Sequence, residues 1–135
     1  MKKVKVFIEK GKDGLFTAYM DDTPLRYSCM GTGKTVSETI ADFKNGYNEM
    51  KSFYLESGRN FEEVDFVFYY ANTVTFLHAL KDYFKLEGIS KITGINPAQL
   101  GHYIQGVKKP SPSTEKKIRE GVLQSLAEIQ SIKFR

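Results

Sequence analysis

The first hydrophobic pattern along the chain has a period of two. In Lys2 to Glu9, Val4, Val6 and Ile8 fall on one side and Lys5 and Glu9 on the other, which predicts a strand with one buried face. Lys10-Gly11-Lys12-Asp13-Gly14 has turn chemistry, and Leu15 to Met20 reads as the returning strand. Asp21-Asp22-Thr23-Pro24 breaks it, Leu25 to Met30 is expected as a third strand, and Gly31-Thr32-Gly33 as a loop. The period then changes. Val36, Ile40, Phe43, Tyr47, Met50 and Tyr54 recur at helical spacing behind the capping box Thr35-Val36-Ser37-Glu38, and Gly58 stops the run. Val64 to Tyr70 is almost continuously apolar, the pattern of a central strand buried on both faces.

After the short link Ala71-Asn72-Thr73 every pattern is helical. Val74 to Tyr83 turns Phe76, Leu77 and Leu80 inward. Leu86, Ile89 and Ile92 mark a second helix, and Gly94 sits where it should stop. Asn96 can cap a third helix with Pro97 at its first position, anchored by Leu100 and Ile104 and ended by Gly106. Ser111 and Pro112 open a long last helix with the stripe Ile118, Val122, Leu126 and Ile129. The expected fold class is α+β: a β-β-β-α-β unit over residues 1–72, then an all-α unit of about four helices over 73–135.

Charge sharpens this division. Residues 1–72 hold 10 Lys/Arg against 11 Asp/Glu, a balance of −1, whereas residues 73–135 hold 10 against 5, a balance of +5. A basic helical unit points to a polyanionic partner. Hydrophobic content of 41% is ordinary for a globular chain, and no apolar run approaches a membrane span. MKKVKVFIEKGKDG lacks a long apolar stretch, so it is not expected to act as a signal peptide, and the single Cys29 excludes an internal disulfide. A cytoplasmic protein is expected.

Ile89-Ser90, Gly94-Ile95-Asn96, Leu100, Gly106 and Lys108-Lys109-Pro110-Ser111 resemble the Cro/repressor (XRE-type) helix-turn-helix. Leu86 and Ile104 differ from that family, which usually has a polar residue and an acid there. In such a motif the second helix enters the major groove of duplex DNA. With Leu100 and Ile104 facing inward, the outward face is expected to carry Ala98, Gln99, Gly101, His102 and Gln105. Gln99 and His102 are long enough to reach base edges, Asn96 and Pro97 set the helix N-terminus near a phosphate, and Tyr103, Lys108 and Lys109 are expected on the DNA backbone.

The first half has its own resemblance. A hairpin and a strand followed by Gly33-Lys34-Thr35-Val36-Ser37-Glu38-Thr39-Ile40 are similar to the HicB antitoxin family, with Pro24-Leu25 and Cys29 in place of its upstream motif. That family often carries a C-terminal DNA-binding domain. The resemblance implies a regulator that neutralises a HicA-like RNA-cleaving toxin and represses its own operon from an operator on double-stranded DNA. A homodimer or larger is expected, because paired half-sites need a two-fold protein. Two other readings remain: an orphan DNA-binding regulator without a toxin, and a protein-interaction module that binds no DNA.

No enzyme signature is found. Gly31-Thr32-Gly33-Lys34-Thr35 contains part of a nucleotide-binding loop, but Ser28 stands where the motif requires its first glycine. His78, His102 and Cys29 form no recognisable zinc pattern, and no metal or cofactor is expected. Cys29 lacks the basic neighbourhood of a nucleophile.

Overall fold

The alternation in Lys2–Lys10 makes it β1, the strand on which the first unit is assembled. In the computed structural model, which describes residues 1–22 and 24–135, Val4, Val6 and Ile8 of β1 are buried. Thr23, expected in the break after the second strand, lies outside the described residues. β2 (Phe16–Met20) pairs antiparallel with β1, and β3 (Met30–Gly33) antiparallel with β2. α1 (Val36–Glu56) crosses one sheet face and returns the chain to β4 (Val64–Tyr70), which pairs parallel with β1. The sheet order is β3-β2-β1-β4.

Two strand expectations are corrected. The third strand is Met30–Gly33, not Leu25–Met30, so the glycines read as a loop are strand residues. Residues 24–29 are irregular, with Tyr27 and Cys29 buried. The Tyr27 ring stacks on Phe61 at 4.6 Å and its hydroxyl donates to the Glu62 carbonyl at 2.5 Å. Alternation of buried side chains thus began before the strand did. β4 is an edge strand, not a central one. Its apolar run serves two faces. Phe66 and Phe68 meet Phe43 of α1 at ring distances of 4.8 and 5.6 Å, while Tyr69 meets Phe7 on the face turned away from α1.

The capping box forms. Thr35 Oγ1 accepts from Glu38 N at 3.1 Å, and Glu38 Oε2 accepts from Lys34 N at 2.9 Å, one residue before the cap. α1 turns Thr39 and Phe43 fully inward and Val36, Ile40, Tyr47, Met50 and Tyr54 partly so. Gly58, at φ +69°, takes the left-handed conformation that closes the helix end.

The chain divides into Met1–Thr75 and Phe76–Arg135, the boundary falling inside α2 (Thr73–Lys81). The second unit contains α3 (Leu86–Thr93), α4 (Pro97–Gln105) and α5 (Pro112–Ser131). Its core is Leu77, Leu80, Ile89, Ile95, Leu100, Tyr103, Ile118 and Val122. α5 is capped by Ser111, whose Oγ accepts from Thr114 N at 3.2 Å. Only the first half of its stripe is buried. Leu126 and Ile129 are 44% and 61% exposed, because the helix is about 30 Å long and outruns the core it joins. Among the described residues no helix is long and apolar enough to cross a membrane.

Candidate functional site

Gly94 ends α3 at φ +72°, with its N–H donating to the Ser90 carbonyl at 2.8 Å. Two residues later Asn96 Oδ1 accepts from Ala98 N at 2.8 Å, satisfying one of the free donors that begin α4, and Pro97 occupies a position that needs no donor. The turn between them is held from inside. Ile95 is buried, Thr93 Oγ1 donates to the Ile89 carbonyl at 2.7 Å and accepts from Ile95 N at 3.3 Å, and Ser90 Oγ donates to the Ile95 carbonyl at 2.5 Å. At the other end Gly106, at φ +78°, closes α4. The angle at which α4 leaves α3 is therefore set by hydrogen bonds and a buried isoleucine. Replacing Asn96 by alanine should cost about 1 kcal/mol of stability, read as a lowered midpoint in denaturant.

Leu100 is fully buried, and Ile104 is partly buried against the same core. The Ile104 carbonyl accepts from His78 Nε2 at 3.1 Å, which ties α4 to α2. Asn96, Ala98, Gln99, His102 and Gln105 are exposed and Gly101 half-exposed, so these expected site residues lie at the surface. Helical geometry puts Ala98, His102 and Gln105 at the centre of the outward face. Lys108 and Lys109 are exposed just beyond the helix. The α4 N-terminus, with its partial positive charge, and these two lysines bracket the exposed face.

Tyr103 requires correction. It was expected on the DNA backbone but is only 3% exposed and belongs to the core. Its position three residues after Leu100 puts it on the buried side of α4, and that spacing was available in the sequence. Its hydroxyl accepts from Gln99 Nε2 at 2.5 Å, so Gln99 lies at the flank of the face with its amide nitrogen engaged. Sequence reasoning also missed Lys117 of α5, whose ammonium donates to the Gly94 carbonyl at 3.4 Å and places a cation at the C-terminus of α3.

The first unit offers less chemistry. Burial holds the Cys29 thiol in its neutral form by raising its pKa, the opposite of what a nucleophile needs. Burial foremost, with Tyr47 and Cys29 nearby, likewise raises the Tyr27 phenol. Among the described residues no group of three His, Cys, Asp or Glu side chains converges.

No family model, no curated protein and no solved structure matches this chain.

Proposed function

We propose that the chain is a sequence-specific DNA-binding regulator of the HicB antitoxin type: its second unit binds an operator, its first unit binds a HicA-like RNA-cleaving toxin, and two copies act together. One observation carries the DNA-binding part. α4 is capped at its N-terminus, anchored by Leu100, and presents Ala98, His102 and Gln105 outward with Lys108 and Lys109 beside them. That is the arrangement a recognition helix needs, with side chains for base edges at the centre and cations for phosphates at the margin. The charge of +5 over residues 73–135 supports it. The toxin part rests on the β-β-β-α-β order and on the helix start at Gly33 to Ile40, both of which are similar to HicB.

An operator selected from random duplexes tests the DNA reading. His102→Ala and Gln105→Ala should weaken binding to that operator by about 1–3 kcal/mol per lost base contact and relax the sequence preference. Gln99→Ala should have a smaller effect, because its amide already serves Tyr103. Lys108→Ala and Lys109→Ala should weaken binding to all duplexes alike and flatten the salt dependence by about one unit each. If all these variants, folded by circular dichroism, bind the selected operator as tightly as the parent, the DNA reading fails. Co-expression with the product of the adjacent reading frame tests the toxin reading, which fails if no complex forms.

A further inference from the structure

The sheet face turned away from α1 carries a row of large apolar side chains, one from each strand. Register places Tyr69 of β4 beside Phe7 of β1, Phe7 beside Tyr19 of β2, and Tyr19 beside Met30 of β3. The Phe7 ring lies 5.9 Å from that of Tyr19 and 6.0 Å from that of Tyr69. Tyr69 and Met30 are 43% and 63% exposed. The core beneath does not use these residues. It is made by Val6, Ile8, Phe16, Ala18 and Phe43 on the opposite face. An apolar row that spans a sheet at its surface marks a place of contact.

The charges around the row select the partner. On β1, Phe7 is preceded on its own face by Lys5 and followed by Glu9, each two residues away. Lys5 Nζ lies 5.7 Å from the centre of the Tyr69 ring, and Glu9 Oε2 accepts from the Tyr19 hydroxyl at 3.3 Å, so both belong to this face. Farther along, Lys3 is paired in register with Asp65. Asp21 continues β2 opposite Lys5, its N–H donating to the Lys5 carbonyl at 2.8 Å, so Lys3 and Lys5 stand with Asp65, Asp21 and Glu9 and the face is close to neutral, which suits neither a polyanion nor a strongly basic partner. Along β1 itself the nearest charges are antisymmetric about Phe7, Lys5 on one side and Glu9 on the other. A two-fold axis lying along the row turns a second copy over and reverses its strands. Phe7 then meets Phe7, and Lys5 of each copy meets Glu9 of the other.

We infer that this face is a contact between two copies of the chain, packed sheet on sheet about the Tyr69–Phe7–Tyr19–Met30 row. Such a contact is isologous, the same surface serving both copies, and aligned sheets pack in this way in sandwich folds. The inference gives a surface to the two-copy arrangement proposed above. Its observations lie wholly in the first unit and do not depend on DNA binding.

The test is sedimentation equilibrium of the full chain over a wide dilution series, with circular dichroism to establish folding. The parent should dimerise reversibly. Lys5→Glu places Glu opposite Glu twice in each dimer, and Glu9→Lys places Lys opposite Lys twice. Each should weaken dimerisation roughly tenfold or more, since like charges brought together across an interface are strongly disfavoured. The double variant K5E/E9K should recover the parent behaviour, and an equimolar mixture of the two single variants should form a heterodimer. A parent that stays monomeric, single variants that dimerise like the parent, or a mixture no tighter than its components would each overturn the inference. Failure of the DNA reading is separate, because His102→Ala and Lys108→Ala change operator binding and leave the sedimentation of the DNA-free chain unchanged.

Discussion

A Gly121→Ala variant should melt well below the parent, whereas Gly101→Ala should melt above it. Both glycines lie inside helices, where alanine is favoured by about 1 kcal/mol. They differ in what a methyl group would meet. At Gly101 of α4 no atom lies within 4 Å of the added carbon, so only the gain remains. At Gly121 of α5 the added carbon would sit 2.3 Å from the Ile92 carbonyl oxygen and 3.0 Å from Thr93 Cα, both backbone atoms of α3. Backbone cannot rotate aside, so the two helices must separate and Ile118 and Val122 lose contact with the core. Overpacking costs about 1–3 kcal/mol even where side chains can adjust. Here we expect a net loss of about 2–4 kcal/mol. At about 0.05–0.15 kcal/mol per residue, a unit of this size has only ~3–9 kcal/mol in all. Thermal melts followed by circular dichroism, with amide exchange read in α3 and α5, check the pair. A Gly121→Ala chain as stable as the parent would mean that α3 and α5 do not cross at this position.

Features fixed by neighbouring residues were legible in the sequence. Thr35 with Glu38, Asn96 with Pro97, Ser111 with Pro112, and the stops at Gly58, Gly94 and Gly106 all appear where their local chemistry put them. Each involves groups at most four residues apart, a side chain and a backbone N–H at the caps and two backbone groups at the glycine stops. What failed depended on partners far along the chain. Val64 to Tyr70 reads as a central strand because an apolar run does not tell whether a second strand lies beyond it. In the structure that run divides its aromatics between Phe43 on one side and Phe7 on the other. The candidate site shows the same limit. Spacing alone puts Tyr103, three residues after Leu100, on the buried side of α4, but tyrosine suits either environment, so spacing does not decide how deeply it is buried. Its burial is settled by the helices packed around α4, and Gln99 is drawn to the flank as a consequence.

Gly31 shows how a glycine can be misread, and Gly31→Ala is expected to be among the most damaging single-methyl changes in the first unit. Followed by Gly33-Lys34-Thr35, it belongs to a fragment that suggests a phosphate-binding loop. Its geometry supplies a different reason for the glycine. A carbon added at Gly31 would lie 2.6 Å from both Phe43 N and the Thr39 carbonyl oxygen, and 2.8 Å from Phe43 Cα. At Gly33 it would lie 2.7 Å from Thr39 N. β3 therefore lies directly against the backbone of α1, and the two glycines on its inner side allow that approach. Thr32 between them faces outward and is exposed, while its N–H donates to Asp42 Oδ2 at 2.8 Å. Alanine at Gly31 would lift α1 from the sheet and loosen Phe43, which is fully buried against Phe66 and Phe68. A gap of 0.5–1 Å already forfeits about a quarter to a half of each contact. With the steric cost, we expect a loss of about 3 kcal/mol or more. Thr32→Ala removes only an exposed side chain, keeps the backbone donor to Asp42, and should shift stability by less than about 0.5 kcal/mol. Denaturant midpoints of the two variants measure the contrast. Equal midpoints would contradict the close seating of α1 on β3 that these distances describe.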